Sequence, residues 1–210
     1  MSKYMKYPRT KHLPFSLGVG DDDRMHTSMA QWEGKDVILT EKLDGENTSC
    51  YSDHIHARSL DSRNHPSRNW VKNFWASICC NIPEGWRVCG ENLYAKHSIY
   101  YENLETYFYG FSVWDDKNFC LSWDETLEWF ELIGIVSAPV IYRGIFDERV
   151  VREISENLNY STQEGFVLRT CDRYSYGEFR KYVGKFVRPG HVMTGRHWMH
   201  GQEIVPNKLK

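Results

Sequence analysis

Lys42-Leu43-Asp44-Gly45-Glu46-Asn47 follows directly on the apolar run Asp36-Val37-Ile38-Leu39-Thr40-Glu41. A lysine at the end of a strand-like run, before a turn, can serve as a nucleophile rather than a surface charge. An ordinary lysine has a pKa of about 10.4, so only a few in ten thousand are neutral at pH 7. Bringing it to roughly 8 costs about 3 kcal/mol, which partial burial and nearby positive charge can supply. Asp44 and Glu46 act in the opposite direction. The chemistry therefore requires a compensating cation, either a metal ion or a second basic side chain. Lys181-Tyr182-Val183-Gly184-Lys185-Phe186-Val187-Arg188 offers one. Lys185 is favoured over Lys181 because it lies in the apolar-flanked strand pattern Val183-x-Lys185-x-Val187, with Arg188 or Lys181 assisting.

Short β-like runs must position these groups: residues 37–41, 48–51, 55–58, 86–91, 107–114, 165–169 and 182–187. Helical segments lie between them. Ser122-x-x-Glu125 is a capping box, after which Leu127, Phe130 and Ile133 recur at helical spacing until Gly134. A second helix is expected over residues 148–158, with Val150, Val151, Ile154 and Leu158 on one face. Pro66-Ser67 can start a third, carrying Trp70, Val71, Phe74, Trp75 and Ile78 inward. The order does not alternate β with α, so the expected class is α+β, built on antiparallel sheets flanked by helices.

With 210 residues, the chain suits one domain. No apolar run approaches the roughly 18 residues of a membrane span, and the N-terminus lacks the apolar stretch of a signal peptide. A cytoplasmic protein without membrane attachment is expected. The six cysteines show no framework spacing and are read as reduced thiols. Charge is segregated. Residues 179–210 carry seven Lys/Arg against one acid, Glu203, whereas residues 101–165 carry thirteen acids against four bases. A basic segment, with its tail at residues 189–210, suits phosphate contact on one face. Gly18-Val19-Gly20-Asp21-Asp22-Asp23 reads as a solvated loop, since three acids would repel phosphate. His191, His197 and His200, and separately His54, His56 and His65, lack a cysteine or carboxylate that would complete a zinc spacing. They are read as packed, capping or phosphate-contacting histidines. Arg63, Arg68 and Arg196 are candidate phosphate contacts.

The lysine motif does not stand alone. Ala57-Arg58-Ser59-Leu60-Asp61-Ser62-Arg63, Arg87-Val88-Cys89-Gly90-Glu91, Tyr107-Phe108-Tyr109-Gly110-Phe111-Ser112-Val113-Trp114-Asp115, Glu164-Gly165-Phe166-Val167-Leu168-Arg169 and the 181–188 segment follow it in order. Together they resemble the covalent nucleotidyltransferases: DNA ligases, RNA ligases and mRNA capping enzymes. In DNA ligases and capping enzymes the sixth residue of the lysine motif is typically arginine. Here it is Asn47, as in RNA ligases of family 2, and Gly90-Glu91-Asn92-Leu93-Tyr94 with His191-Val192 and His197-Trp198-Met199-His200 resembles a compact bacterial and viral group of these. The resemblance spans roughly residues 7–209.

It implies an ATP-grasp-like ligase adenylation fold and an ATP-dependent RNA ligase. In that reading Lys42 attacks the α-phosphorus of ATP, the AMP passes to an RNA 5′-phosphate, and a 3′-hydroxyl then seals the strand. The implied ATP site comprises Glu41, Lys42, Asp44, Asn47, Arg58, Glu91, Phe111, Glu164, Lys185 and Arg188, with Lys42 and Lys185 catalytic. Phe111 would stack on adenine, with Tyr109 on the same strand face and Phe108 opposite. Glu91 and Arg58 would hold the ribose and nearby phosphate. Glu164 would bind Mg²⁺ or Mn²⁺, because hard cations prefer oxygen ligands. Lys185 would stabilise α-phosphate charge. The family usually adds a C-terminal domain, and an OB fold does not fit within the residues after Arg188. Substrate grip then falls to the basic tail, residues 7–12, a homodimer or a repair partner. DNA sealing, GTP-dependent capping or a non-catalytic nucleotide-binding role are the alternatives.

Overall fold

Val37, Ile38 and Leu39 are all fully buried, so the strand that holds them is covered on both faces. Val37 and Leu39 pack with Leu13, Trp32, Phe166 and Phe186, whereas Ile38 meets Trp123 on the other side. In the computed structural model, which describes residues 3–190 and 204–210, this strand is the fourth of five in one sheet.

That sheet comprises β1 (Lys11–His12), β2 (Asp36–Glu41), β9 (Val140–Ile145), β10 (Gly165–Thr170) and β12 (Val183–Val187), in the order β1-β12-β10-β2-β9. Only β1 and β12 are parallel. The second sheet holds β3 (Glu46–Cys50), β4 (Ile55–Ala57), β5 (Arg87–Asn92), β6 (Phe108–Trp114), β7 (Phe119–Cys120) and β11 (Tyr174–Ser175), in the order β11-β7-β6-β5-β3-β4, with β8 (Val136–Ser137) parallel to β6. Among the described residues every strand belongs to one of these sheets, leaving none for an OB barrel. The chain is thus α+β with antiparallel sheets. Each strand expected from sequence lies within β2, β3, β4, β5, β6, β10 or β12 to within a residue or two. β9 has no counterpart among them. It is an edge strand whose apolar ends, Val140 and Ile145, stay exposed, so its pattern does not mark a buried face.

The helices follow their local chemistry. His65 caps a 3₁₀ turn at Pro66–Arg68, accepting from the Ser67 amide, and α1 (Asn69–Ile78) continues from it. The capping box of Ser122 and Glu125 starts α2 (Trp123–Ile133), and Gly134 ends it in the left-handed region at φ 73°. Asp147 caps α3 (Glu148–Glu156), which stops short of Leu158, although Leu158 still packs against the first core. A four-residue helix, α4 (Phe179–Tyr182), leads into β12. All six cysteines are free thiols. Among the described residues no helix is long and apolar enough to cross a membrane.

The join between β2 and β3 is what positions the site. β2 ends at Glu41 in one sheet and β3 begins at Glu46 in the other, so the lysine-bearing hexapeptide is the crossover between sheets. The Lys42 amide donates to the Gly165 carbonyl (2.9 Å), which ties the start of the crossover to β10.

Candidate active site

Strand register sets the rows from which the cleft draws Lys185, Val167 and Thr40 on one side and Asn47 and Glu91 on the other. In the first sheet His12, Lys185, Val167 and Thr40 lie side by side across β1, β12, β10 and β2. In the second, Asn47, Glu91 and Tyr109 are paired across β3, β5 and β6. Residues of both sheets line one open cleft of about 750 Å³, including Lys42, Lys185, Glu91, Asn47, Arg58 and Phe111. That volume matches a small-ligand site.

Lys42 Nζ lies 2.5 Å from Oε2 of Glu164, a fully buried carboxylate. Burial pushes the Lys42 ammonium down, but Glu164, then Glu91 and Asp44, more than offset this and hold its pKa above the ordinary value. The expected lowering is therefore absent in this state, and Lys42 is a protonated, paired cation. Glu91 carries the complementary shift: burial pushes its carboxyl up to about 8, against the pull of Lys42. Burial also raises Glu41, which lines the cleft beside Lys42, with the Gln163 side chain opposing. The third acid, Glu46, is neutralised by Arg68 through paired bonds of 2.7 and 2.5 Å.

Lys185, not Lys181, faces the cleft. Its pKa is lowered by burial and by the charge of Lys42, while Asp23 (3.5 Å) works against the shift. Lys181 instead stands over the Tyr182 ring. Asp23 also reaches Nε2 of His12 (3.2 Å), and His12 Nδ1 lies 2.7 Å from Ser16 Oγ. His12 is fully buried, and its pKa drops to about 4, chiefly through burial and next through Lys185. A neutral imidazole there accepts the Ser16 hydroxyl at Nδ1, while Nε2 is close to Asp23 but makes no hydrogen bond.

A β-bulge selects the aromatic. β5 and β6 shift register so that Cys89 faces Ser112 and Gly90 faces Gly110, leaving Phe111 as the extra residue. Phe111 lines the cleft, braced edge-on by Tyr7 at 5.3 Å between centroids. Tyr109 is buried with Leu43 and Leu104, its hydroxyl accepting from the Glu105 amide, and Phe108 lies in the core of the second sheet.

Other site residues predicted from sequence lie elsewhere. Asp44 is 5% exposed and turns from the cleft: its Oδ2 accepts from the Ser98 amide (2.7 Å), the Ser98 hydroxyl (2.6 Å) and the Ile99 amide (2.8 Å). It braces the crossover rather than lining the ligand space. Arg188 follows the β12 end, with its amide on the Glu164 carbonyl and Nη2 3.4 Å from Ser98 Oγ, outside the cleft lining. Glu164 does not line the cleft itself but contacts Lys42, which does. Arg68 is not a surface phosphate contact, being buried against Glu46 and the Arg63 carbonyl. His191, His197, His200 and Arg196 lie outside the described residues. Among the others, His65 is a cap, His54 stacks on Tyr4, and buried His56 holds the Ala57 carbonyl. The described residues contain no group of three or more metal-ligating side chains.

Sequence reasoning missed Asp23, His12 and His97. The Asp21–Asp23 stretch lines the cleft, its last carboxylate matched to Lys185 and His12 rather than solvated. His97 lines the opposite part, held below its ordinary pKa by burial although Asp44, Glu46 and Glu164 pull the other way. No spacing rule marks either.

Two antiparallel sheets meeting at a cleft, with a lysine on the crossover between them, define the ligase nucleotidyltransferase fold. Solved structures share it. A candidate ATP-dependent DNA ligase of Aquifex aeolicus superposes with a TM-score of 0.60 at 18% identity, covering 90% of this chain and 50% of its own. An RNA ligase of Naegleria gruberi with ATP and manganese gives 0.54 at 17%, covering 75% and 51%. Another variant of that ligase, also with ATP and manganese, gives 0.57 at 17%, covering 86% and 59%. This chain thus spans about half the length of the ligases it matches. Comparison with curated proteins returns no match. The chain belongs to the RNA ligase family, whose model matches residues 35–187.

Proposed function

We propose that this chain is the adenylylating part of an ATP-dependent RNA ligase. The observation that carries the reading is Lys42 on the crossover, inside a cleft whose other walls hold a second lysine, an aromatic face and the half-buried carboxylate of Glu91. Lys42 Nζ attacks the α-phosphorus of ATP, a phosphoramide N–P bond forms and pyrophosphate leaves. The AMP then passes to an RNA 5′-phosphate, and a 3′-hydroxyl displaces AMP to close the phosphodiester.

The residues present fit a nucleotide. Asn47 Oδ1 and Arg58 Nε are buried at the cleft with no hydrogen-bond partner, and a bound nucleotide could satisfy both. Phe111 offers a stacking face for adenine. Glu91, with its raised pKa, and Arg58 would hold the ribose and adjoining phosphate. Lys185 meets charge on the α-phosphate oxygens, which requires it to leave Asp23. For a divalent cation, Mg²⁺ or Mn²⁺, the proposed site offers a single oxygen ligand, Glu164, with the phosphates of the nucleotide left to supply others. Held by Glu164, the cation would draw that carboxylate's charge away from Lys42 and neutralise phosphate oxygens. Lys42 must exchange its Glu164 partner and lose its proton before attack.

The test is a two-stage transfer. Protein incubated with α-labelled ATP and magnesium or manganese is freed of nucleotide, then given 5′-phosphorylated RNA. Label moving from protein to RNA is the expected result; an adduct that discharges only onto nicked DNA would place the chain among DNA-sealing enzymes. Label retained from GTP but not ATP would point to capping chemistry.

A further inference from the structure

Beside the nucleotide cleft lies a second depression, of about 550 Å³, whose walls carry Lys6, Arg9, Arg24, Arg58 and Arg180 together with Tyr176. No acidic side chain lines it. Tyr7, Pro8, Arg9 and Arg58 belong to both hollows, so the groove opens directly into the cleft that holds Lys42. Among the described residues none of the five cations forms an ion pair with a carboxylate.

The cations come from four separate stretches of chain, and backbone contacts hold them together. The Tyr176 hydroxyl donates to the Lys6 carbonyl (2.7 Å), pinning the N-terminal segment to the 3₁₀ turn at Tyr176–Glu178. Arg9 Nη1 donates to the Asp22 carbonyl (3.0 Å), and the His12 amide to the Arg24 carbonyl (2.7 Å). Arg58 sits at the junction, where burial and next the charge of Arg9 hold its guanidinium below the ordinary value. Unpaired guanidinium groups crowded in one hollow repel one another, and a row of phosphates relieves that repulsion while accepting charge-assisted hydrogen bonds.

We propose that this groove binds the phosphodiester backbone of an RNA strand and leads its end into the cleft beside Lys42. This rests on the ligase reading, and it supplies from the N-terminal segment, the 20–24 loop and the turn before β12 a grip that the chemistry of Lys42 alone lacks. Contacts here are to backbone phosphates, so they position the strand without reading its sequence.

The test uses the triple variant Lys6→Ala/Arg24→Ala/Arg180→Ala, three exposed side chains of the groove that do not line the cleft. A fluorescent, 5′-phosphorylated single-stranded RNA is titrated by anisotropy at several salt concentrations, and adduct formation with α-labelled ATP is measured in parallel. Binding should weaken about tenfold or more at low salt, and the slope of log K against log salt should flatten by about two units, at roughly 0.7 per lost phosphate contact on a single strand. Adduct formation should be unchanged. RNA affinity and salt slope matching the parent would overturn the proposal. So would a rise in the ATP concentration needed for adduct formation with RNA binding intact, which would assign the groove to the triphosphate tail. Absence of an adduct in the parent itself would count against the ligase reading, while anisotropy would still report on the groove.

Discussion

At the residue scale the lysine of the crossover is held in an ion pair. Lys42 and Glu164 lie 2.5 Å apart, and that carboxylate helps hold the lysine's pKa above its ordinary value against burial. That Lys42, Lys185, Glu91 and Arg58 would share one cleft was legible, because a candidate nucleophilic lysine calls for cations and carboxylates nearby and the sequence displays the strands that carry them. Asp44 belongs to the same hexapeptide yet serves another purpose, which no spacing could reveal: its partners lie more than fifty residues away at Ser98 and Ile99. Asp44→Ala should lower stability by about 2–4 kcal/mol by leaving two amides and a hydroxyl without their acceptor, and Asp44→Asn by less. Urea unfolding midpoints check this. Asp23 was hidden for the opposite reason, since a run of acids reads as solvated until His12 and Lys185 are brought against it. His12 gives a signed pH dependence. Its folded pKa of about 4 lies below its unfolded value near 6.5, so the unfolded chain binds the extra proton between them. Its contribution to stability is complete above about pH 6.5 and is lost as pH falls toward 4, by about 1–3 kcal/mol. Buried His26 and His56, also held below their ordinary values, add in the same direction. Urea unfolding at about pH 7 and about pH 5 should give lower stability at the acid end, and His12→Gln should reduce the difference.

At the element scale, β2 and β10 act as a frame for the crossover. Gly165 shows how closely the frame is built. Its φ of 156° accompanies an approach to β12 in which an added Cβ would overlap the Phe186 carbonyl. The same residue accepts the Lys42 amide and follows Glu164 in sequence, so glycine here sets both members of the ion pair. Gly165→Ala should cost about 2 kcal/mol or more and slow adduct formation at saturating ATP, as read from urea unfolding and single-turnover labelling. The central strands and capped helices were legible because their apolar periods and caps are local. The bulge that turns Phe111 into the cleft was not, since simple alternation treats Tyr109 and Phe111 alike and register is a property of two strands together. Edge strand β9 escaped because its exposed Val140 and Ile145 carry no burial signal.

At the scale of the whole molecule, two sheets approach across one cleft, and one of the chain's crossings between them carries Lys42. Acids concentrate in residues 101–165 and both signs line the cleft, while the neighbouring groove gathers lysines and arginines from distant parts of the chain. The family was legible from the order of motifs. The groove was not, because its cations lie at positions 6, 9, 24, 58 and 180 and become neighbours only on folding. The central claim is that Lys42 becomes covalently linked to AMP. Mass spectrometry of the denatured protein after incubation with ATP and magnesium or manganese, with peptide mapping, tests it most directly. The predicted result is one AMP on the Lys42 peptide of the parent and none on Lys42→Ala. An unmodified parent across a broad range of pH and metal, or an adduct that persists in Lys42→Ala, would contradict it.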